Sequence, residues 1–321
     1  MSAAICLLAY GFAMAVLAPP LLRRLTESEA APRFALAAWL SAIGSTALSW
    51  LAALVALIVD IAHHRLVSMQ RPVMDTCMTE LHDAAVGRYG GAEQAGLLIL
   101  AGLSGVAGLF VIARLGRALW YARRTTFTHA RMARIAGRHN GALDAVVLDV
   151  DEPAAYCVAG KQHTVVVTRG VLTALDDHHL DAVLAHERAH LSGRHHLLLA
   201  LSRGLATVLP HVNLFTTGAN EIARLLEMIA DDAAARVHGR RTVLHALLTL
   251  SDISDGPTEA LGATGIGLTS RVRRLADPTN TSTRRRSRLT LGAATVTAAL
   301  TSVAALALAV VGLALCLPIS G

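Results

Sequence analysis

The sequence predicts an α-helical membrane protein of four transmembrane helices, with a mainly α, minor β domain inserted between the third and fourth. Three observations predict it. Hydrophobic residues make up 54% of the 321, while charged residues reach only 16%, where a soluble domain carries about a quarter. The apolar excess is gathered into long uncharged blocks. Between the third and fourth blocks lies a polar segment long enough to bury a core of its own.

The uncharged blocks are 1–22, 34–59, 94–113 and 289–321, each able to cross a bilayer that takes about 20 helical residues. The last exceeds one crossing, and its span is placed within 290–318. The first block lacks the positive start of a signal peptide and reads as a retained span. A fifth apolar stretch, 197–219, is interrupted by Arg203, Pro210, His211 and Asn213, so a buried or interfacial helix is expected there. The division is thus 1–113 with an outer loop 62–93, an inserted domain 114–288, and a final span 289–321.

Arginine sets the orientation. No acidic residue falls between Glu93 and Asp144, a stretch holding Arg114, Arg117, Arg123, Arg124, Arg131, Arg134 and Arg138. Arg284, Arg285, Arg286 and Arg288 abut the last span, and Arg23, Arg24 and Arg33 lie in the first loop. Basic loops stay cytoplasmic. The inserted domain is therefore expected in the cytoplasm, with both termini and the loop 62–93 outside, in a multi-pass cell-membrane protein. The net charge of +6 is assigned to this flanking and not to nucleic-acid binding. Cys6, Cys77, Cys157 and Cys316 share no short spacing, so neither a disulfide framework nor a cysteine zinc knuckle is expected.

Within the inserted domain, 145–150 and the β-branched run TVVVT at 164–168 are strand candidates. Asp176 or Asp177 caps a helix running to 192, with Gly193 beyond its end. Further helices are expected near 197–209, 219–238 and 242–251. The glycine-rich segment 252–269 reads as a mobile loop.

The capped helix carries His186-Glu187-Arg188-Ala189-His190. Residues four apart share a helix face, so both histidines can bind one zinc ion through ring nitrogens. Glu187 can then take the proton of a water whose pKa the zinc lowers, for attack on a peptide carbonyl. This makes the inserted domain zincin-like and the chemistry that of a metallopeptidase. HExxH supplies two ligands and a catalytic zinc takes three. His196 qualifies as the third through the H-E-x-x-H-x-x-G-x-x-H pattern, since Gly193 and His196 stand at the required places. Glu227 qualifies too, amid Leu225, Leu226, Met228 and Ile229, with Asp231 one turn on able to fix a ligand histidine's tautomer. His195 and His196 otherwise read as polar residues at a helix start, with an oxyanion donor or alternative metal ligand as the functional option. Tyr156 is placed either in the core or along a cleft where a peptide adds as an extra strand. His63, His64, Asp75, Glu80, His82 and Asp83 form a solvated outer loop, with metal or pH sensing as the alternative.

The stretch TVVVTRGVLTALDDHHLDAVLAHERAHLSGRHH, the later ARLLEMIADDAA and the element RVRRLADP at 271–278 resemble membrane zinc peptidases of the BlaR/MecR type. The likeness covers 145–278 and the three-plus-one arrangement of spans. HtpX-type membrane proteases share the HExxH and ExxAD elements. The resemblance implies a gluzincin endopeptidase with one Zn2+ held by His186, His190 and Glu227, and with Glu187 as base. It further implies a signalling protease that cuts a cytoplasmic repressor or itself. An HtpX-like quality-control protease is the alternative; a receptor or scaffold with a degenerate site is the alternative of another class, against which the intact motif residues argue. The antibiotic receptors of that type carry a penicillin-binding domain after the last span, whereas this sequence stops at Gly321. Acylation by a β-lactam needs Ser-x-x-Lys. Lys161 is the one lysine and Val158 stands three before it, so no β-lactam sensing by that route is expected.

Overall fold

The fold is taken from a computed structural model that describes residues 2–66, 91–158, 164–253, 267–277 and 279–316. The apolar blocks become α1 (Ser2–Thr26), α2 (Pro32–Leu66), α3 (Gly91–Ala136) and α10 (Thr281–Cys316). Among the described residues these four helices are long and apolar enough to cross a membrane, by length and composition. Small residues line their contacts. Ala18, Ala35, Ala38 and Ala42 are buried around Trp39, and side chains this small let the helix backbones approach closely. Hydroxyls add ties between helices: Ser49 donates to the Leu7 carbonyl at 2.5 Å and Tyr10 to the Ala298 carbonyl at 3.4 Å.

Two helices run through the expected domain boundaries. α3 continues unbroken past Ala113 and takes up Arg114 through Arg134. α10 starts at Thr281 and absorbs the arginine cluster before its apolar part. No proline stands in either junction, and Ala, Leu and Arg are strong helix formers. Most of the proposed outer loop, with Asp75, Glu80, His82 and Asp83, lies outside the described residues, as do Cys77, Lys161, Pro278 and most of the 252–269 segment.

The inserted domain opens with a four-stranded sheet: β1 (Arg138–Asn140), β2 (Ala145–Leu148), β3 (Ala155–Val158) and β4 (Thr164–Thr168), in the order β1-β2-β4-β3. The two strands expected from sequence form its parallel centre; β1 and β3 flank them antiparallel. The flanking strands are short and lack a β-branched run, so the sequence did not mark them. The three consecutive valines of the TVVVT run do not alternate with polar residues because the sheet is covered on both faces. Val165 and Val167 pack on the helix that follows, and Val166 packs on Ala130 and Ala133 of α3.

Then come α4 (Arg169–Ala174), α5 (Asp177–Ser192), α6 (His195–Val208), α7 (Asn213–His238), α8 (Arg240–Ile253) and α9 (Leu268–Ala276). Asp176 caps α5 by accepting the His179 N–H, and Gly193 closes its far end. The helix expected near 197–209 is α6, and the one expected near 219–238 is α7, which starts earlier, at Asn213; the two part around Pro210 within the apolar stretch 197–219. Proline offers no N–H and disfavours helix before it.

α7 joins the domain to the apolar helices. Its Leu214, Phe215, Ile222, Leu225, Leu226 and Met228 share one core with Trp39, Ile43 and Leu291. A Cβ at Gly218 would stand 2.8 Å from Ile43 Cδ1, so glycine lets α7 close on α2. The turn between α1 and α2 is also pinned. Arg224 of α7 binds the Glu29 carboxylate, while Arg274 of α9 donates to the Glu29 carbonyl at 3.0 Å and to Asp232 at 2.6 Å.

Candidate metal centre

α5 presents His186, Glu187 and His190; α7, packed across it, presents Glu227 and Asp231. The two Nε2 atoms of His186 and His190 stand 3.1 Å apart. Each lies 3.5 Å from one oxygen of Glu227. Among the described residues this is the one group of three whose ligand atoms come within 4.8 Å of one another. Behind it, His186 Nδ1 meets Asp231 Oδ1 at 3.0 Å. Arg271 of α9 forks onto Asp231 at 2.7 and 2.8 Å and reaches Glu227 at 3.1 Å. His190 Nδ1 meets His195 Nδ1 at 2.9 Å.

The donor set fits zinc. Asp231 accepts the Nδ1–H of His186, which turns its Nε2 toward that of His190. Two nitrogens so placed repel unless a proton or a metal cation lies between them. Tetrahedral zinc with bonds of about 2.0–2.1 Å puts neighbouring ligand atoms roughly 3.3 Å apart, and the observed separations of 3.1, 3.5 and 3.5 Å bracket that value.

Electrostatics agree. Burial opposes charge on His186, but its hydrogen bonds to Asp231 and Glu227 outweigh burial and raise it to about 10. Burial and the charge of His186 push His190 down to about 4. Burial also opposes charge on Glu227, yet the hydrogen bond from His186 and the Arg271 guanidinium hold it below the usual carboxylate range. The pocket thus seeks one positive charge, which a metal ion can supply in place of the proton.

Glu187 faces the other way, toward β3, the edge strand. The Cys157 thiol and backbone N–H both hydrogen-bond it. Burial, followed by the charge of Glu187, pushes the Cys157 thiol well up, so it stays a neutral donor. For Glu187, burial dominates and raises its pKa, a shift toward the range that suits a general base near neutral pH.

The fold therefore gathers His186, Glu187, His190, Glu227 and Asp231. His196 sits at the start of α6 and is not in the three-residue group. Tyr156 lies on β3, 39% exposed, and belongs to the edge rather than the core. His195, read as a polar residue at a helix start, does begin α6 but is 5% exposed and bonded to His190. Two contributors carry no role in the sequence, Arg271 and Cys157, while His195 takes neither the oxyanion nor the metal-ligand role that the sequence offers it. For Arg271 a signal exists, since Leu268 and Leu275 share its helix face and an arginine among core positions asks for a buried partner.

Residues 121–279 match the model of peptidase family M48. The match spans the sheet, the histidine helix and α7, and supports a metallopeptidase of that family, whose members are zinc-dependent. No curated protein and no solved structure matches the chain.

Proposed function

We propose that this chain is an integral-membrane zinc endopeptidase of the BlaR/MecR type, which cuts a cytoplasmic repressor or itself. The observation that carries the peptidase reading is the convergence of two imidazole Nε2 atoms and one carboxylate beside a buried glutamate. His186, His190 and Glu227 would hold the ion. Bound there, zinc supplies Lewis acidity to a water and to the peptide carbonyl. Glu187 takes the proton of the attacking water and returns it to the leaving amine. Cys157 keeps the Glu187 carboxylate on the cleft side. The edge strand β3 could pair with an extended peptide, with Tyr156 flanking it.

The regulatory reading draws support from the Glu29 contacts. They tie the turn between two apolar helices to the helix that bears Glu227, so movement within the membrane would be felt at the centre. The arginine flanks support a cytoplasmic position for that centre. A second reading, HtpX-like quality control of membrane proteins, is favoured by the packing of α7 on α2, which holds the cleft close to the apolar helices.

The test is Glu187→Ala in the purified full chain, with zinc content and cleavage of an unfolded protein measured together. Cleavage should fall on the order of 10²–10⁴-fold with zinc retained. Undiminished cleavage would sink the mechanism. In cells, a single cytoplasmic product that appears only on stimulation supports the regulatory role, whereas constant loss of many membrane proteins supports quality control.

A further inference from the structure

The contact between His190 and His195 is one of two nitrogens at 2.9 Å, with ring planes at 89° and centroids 4.8 Å apart. It is not a ring stack. Two unprotonated nitrogens cannot rest at that distance, so one of them donates. His190 Nε2 faces His186 and Glu227 and must keep its lone pair to bind a metal, which puts the His190 proton on Nδ1. His195 then accepts through Nδ1 and carries its own proton on Nε2.

We propose that His195 is the positioning residue for His190, accepting its Nδ1–H and so committing that imidazole to present Nε2 to the metal. The proposal rests on the metal-centre reading above and adds to it the residue that orients the second histidine. Asp231 does the same for the first.

The connection between α5 and α6 is shaped around this ring. Arg194 sits in the left-handed region at φ 50, ψ 36, with no side-chain cap. That conformation is unfavourable for a non-glycine residue, and it turns the first residue of α6 back beneath α5. A Cβ at Gly193 would stand 2.4 Å from His195 Nε2 and 2.6 Å from Cδ2. Glycine therefore leaves the seat that the ring fills. Such strain needs an offsetting contact, and the hydrogen bond to His190 provides one.

The choice of a neutral acceptor also has a reason. The centre already buries Glu187, Glu227 and Asp231 against the single guanidinium of Arg271. A carboxylate at 195 would add a fourth anion. A neutral imidazole supplies the acceptor without that charge, at the expense of a weaker bond than a carboxylate would make.

The experiment measures zinc affinity of the full chain in detergent by competition with a chromophoric chelator. His195→Leu removes the acceptor and should weaken zinc binding about 10–100-fold. In His195→Asn, Oδ1 is as many bonds from Cα as Nδ1 is, so an acceptor returns and affinity should stay within about 3-fold of the parent. Equal affinity for His195→Leu and the parent overturns the proposal. So does a His195→Asn protein as weak as His195→Leu, because packing alone would then explain the loss. Nitrogen NMR of labelled histidines in the unmutated chain tests it without substitution: a protonated His190 Nδ1 supports it and a bare one overturns it. If His190→Ala leaves zinc affinity unchanged, the metal centre itself is wrong, which separates that failure from a failure of His195 alone.

Discussion

Replacing Arg271 by leucine should destabilise the metal-free protein by about 3–5 kcal/mol, the range for removing one partner of a buried ion pair. Arg271 is 4% exposed and makes three contacts, two to Asp231 and one to Glu227. Their side chains are 2% and 13% exposed, so water cannot replace the guanidinium. Each charge-assisted hydrogen bond contributes roughly 1.5–3 kcal/mol. Desolvation of the arginine offsets part of that sum. The bond from His186 spares Asp231 the rest of the loss, which keeps the figure inside the stated range. Burial raises the Asp231 pKa, but the hydrogen bonds from Arg271 and His186 more than reverse this and hold it far below the usual range. Its stabilisation is therefore present above the unfolded value of 3.8 and is lost as pH falls through the folded one. The variant loses that contribution at a higher pH, so its deficit should be largest near pH 7 and shrink in acid. The assay is urea unfolding in detergent, read by tryptophan fluorescence, to which Trp39 against α7 contributes. A deficit under about 1 kcal/mol at pH 7 would refute the reasoning, because an exposed pair behaves that way.

Zinc stoichiometry separates the two candidates for the third ligand: Glu227→Ala should abolish tight binding and His196→Ala should leave it intact, and the reverse pattern would overturn the assignment. Zinc must displace the proton that His186 holds up to about 10, so affinity should climb with pH by about one decade per unit from pH 7 toward that value. An affinity constant from pH 7 to 9 in chelator competition would contradict this.

Features set within one segment were legible in the sequence. Apolar runs long enough for a crossing become α1, α2, α3 and α10 because helix length follows from residue count. Asp176 and Gly193 bound α5 because capping is a contact between near neighbours. The spacing of His186 and His190 places both on one face wherever α5 goes. That α3 runs on past 113 and α10 begins before 289 is not legible in the hydropathy, which changes there while helix propensity does not.

Contacts between segments were decided by packing. Gly193 and His196 fit one metal pattern and Glu227 another, and spacing along the chain does not choose between them. The chain turns at Arg194 and seats His195 instead under His190, while Gly218 lets α7 close on α2 and the α7 core carries Glu227 to the two histidines. Arg271 reaches Asp231 and Cys157 reaches Glu187 from elements that hold no part of the motif. The physical reason is range: periodicity and capping act over one or two turns, whereas the charge balance of a buried centre depends on side chains that meet only after the core has closed.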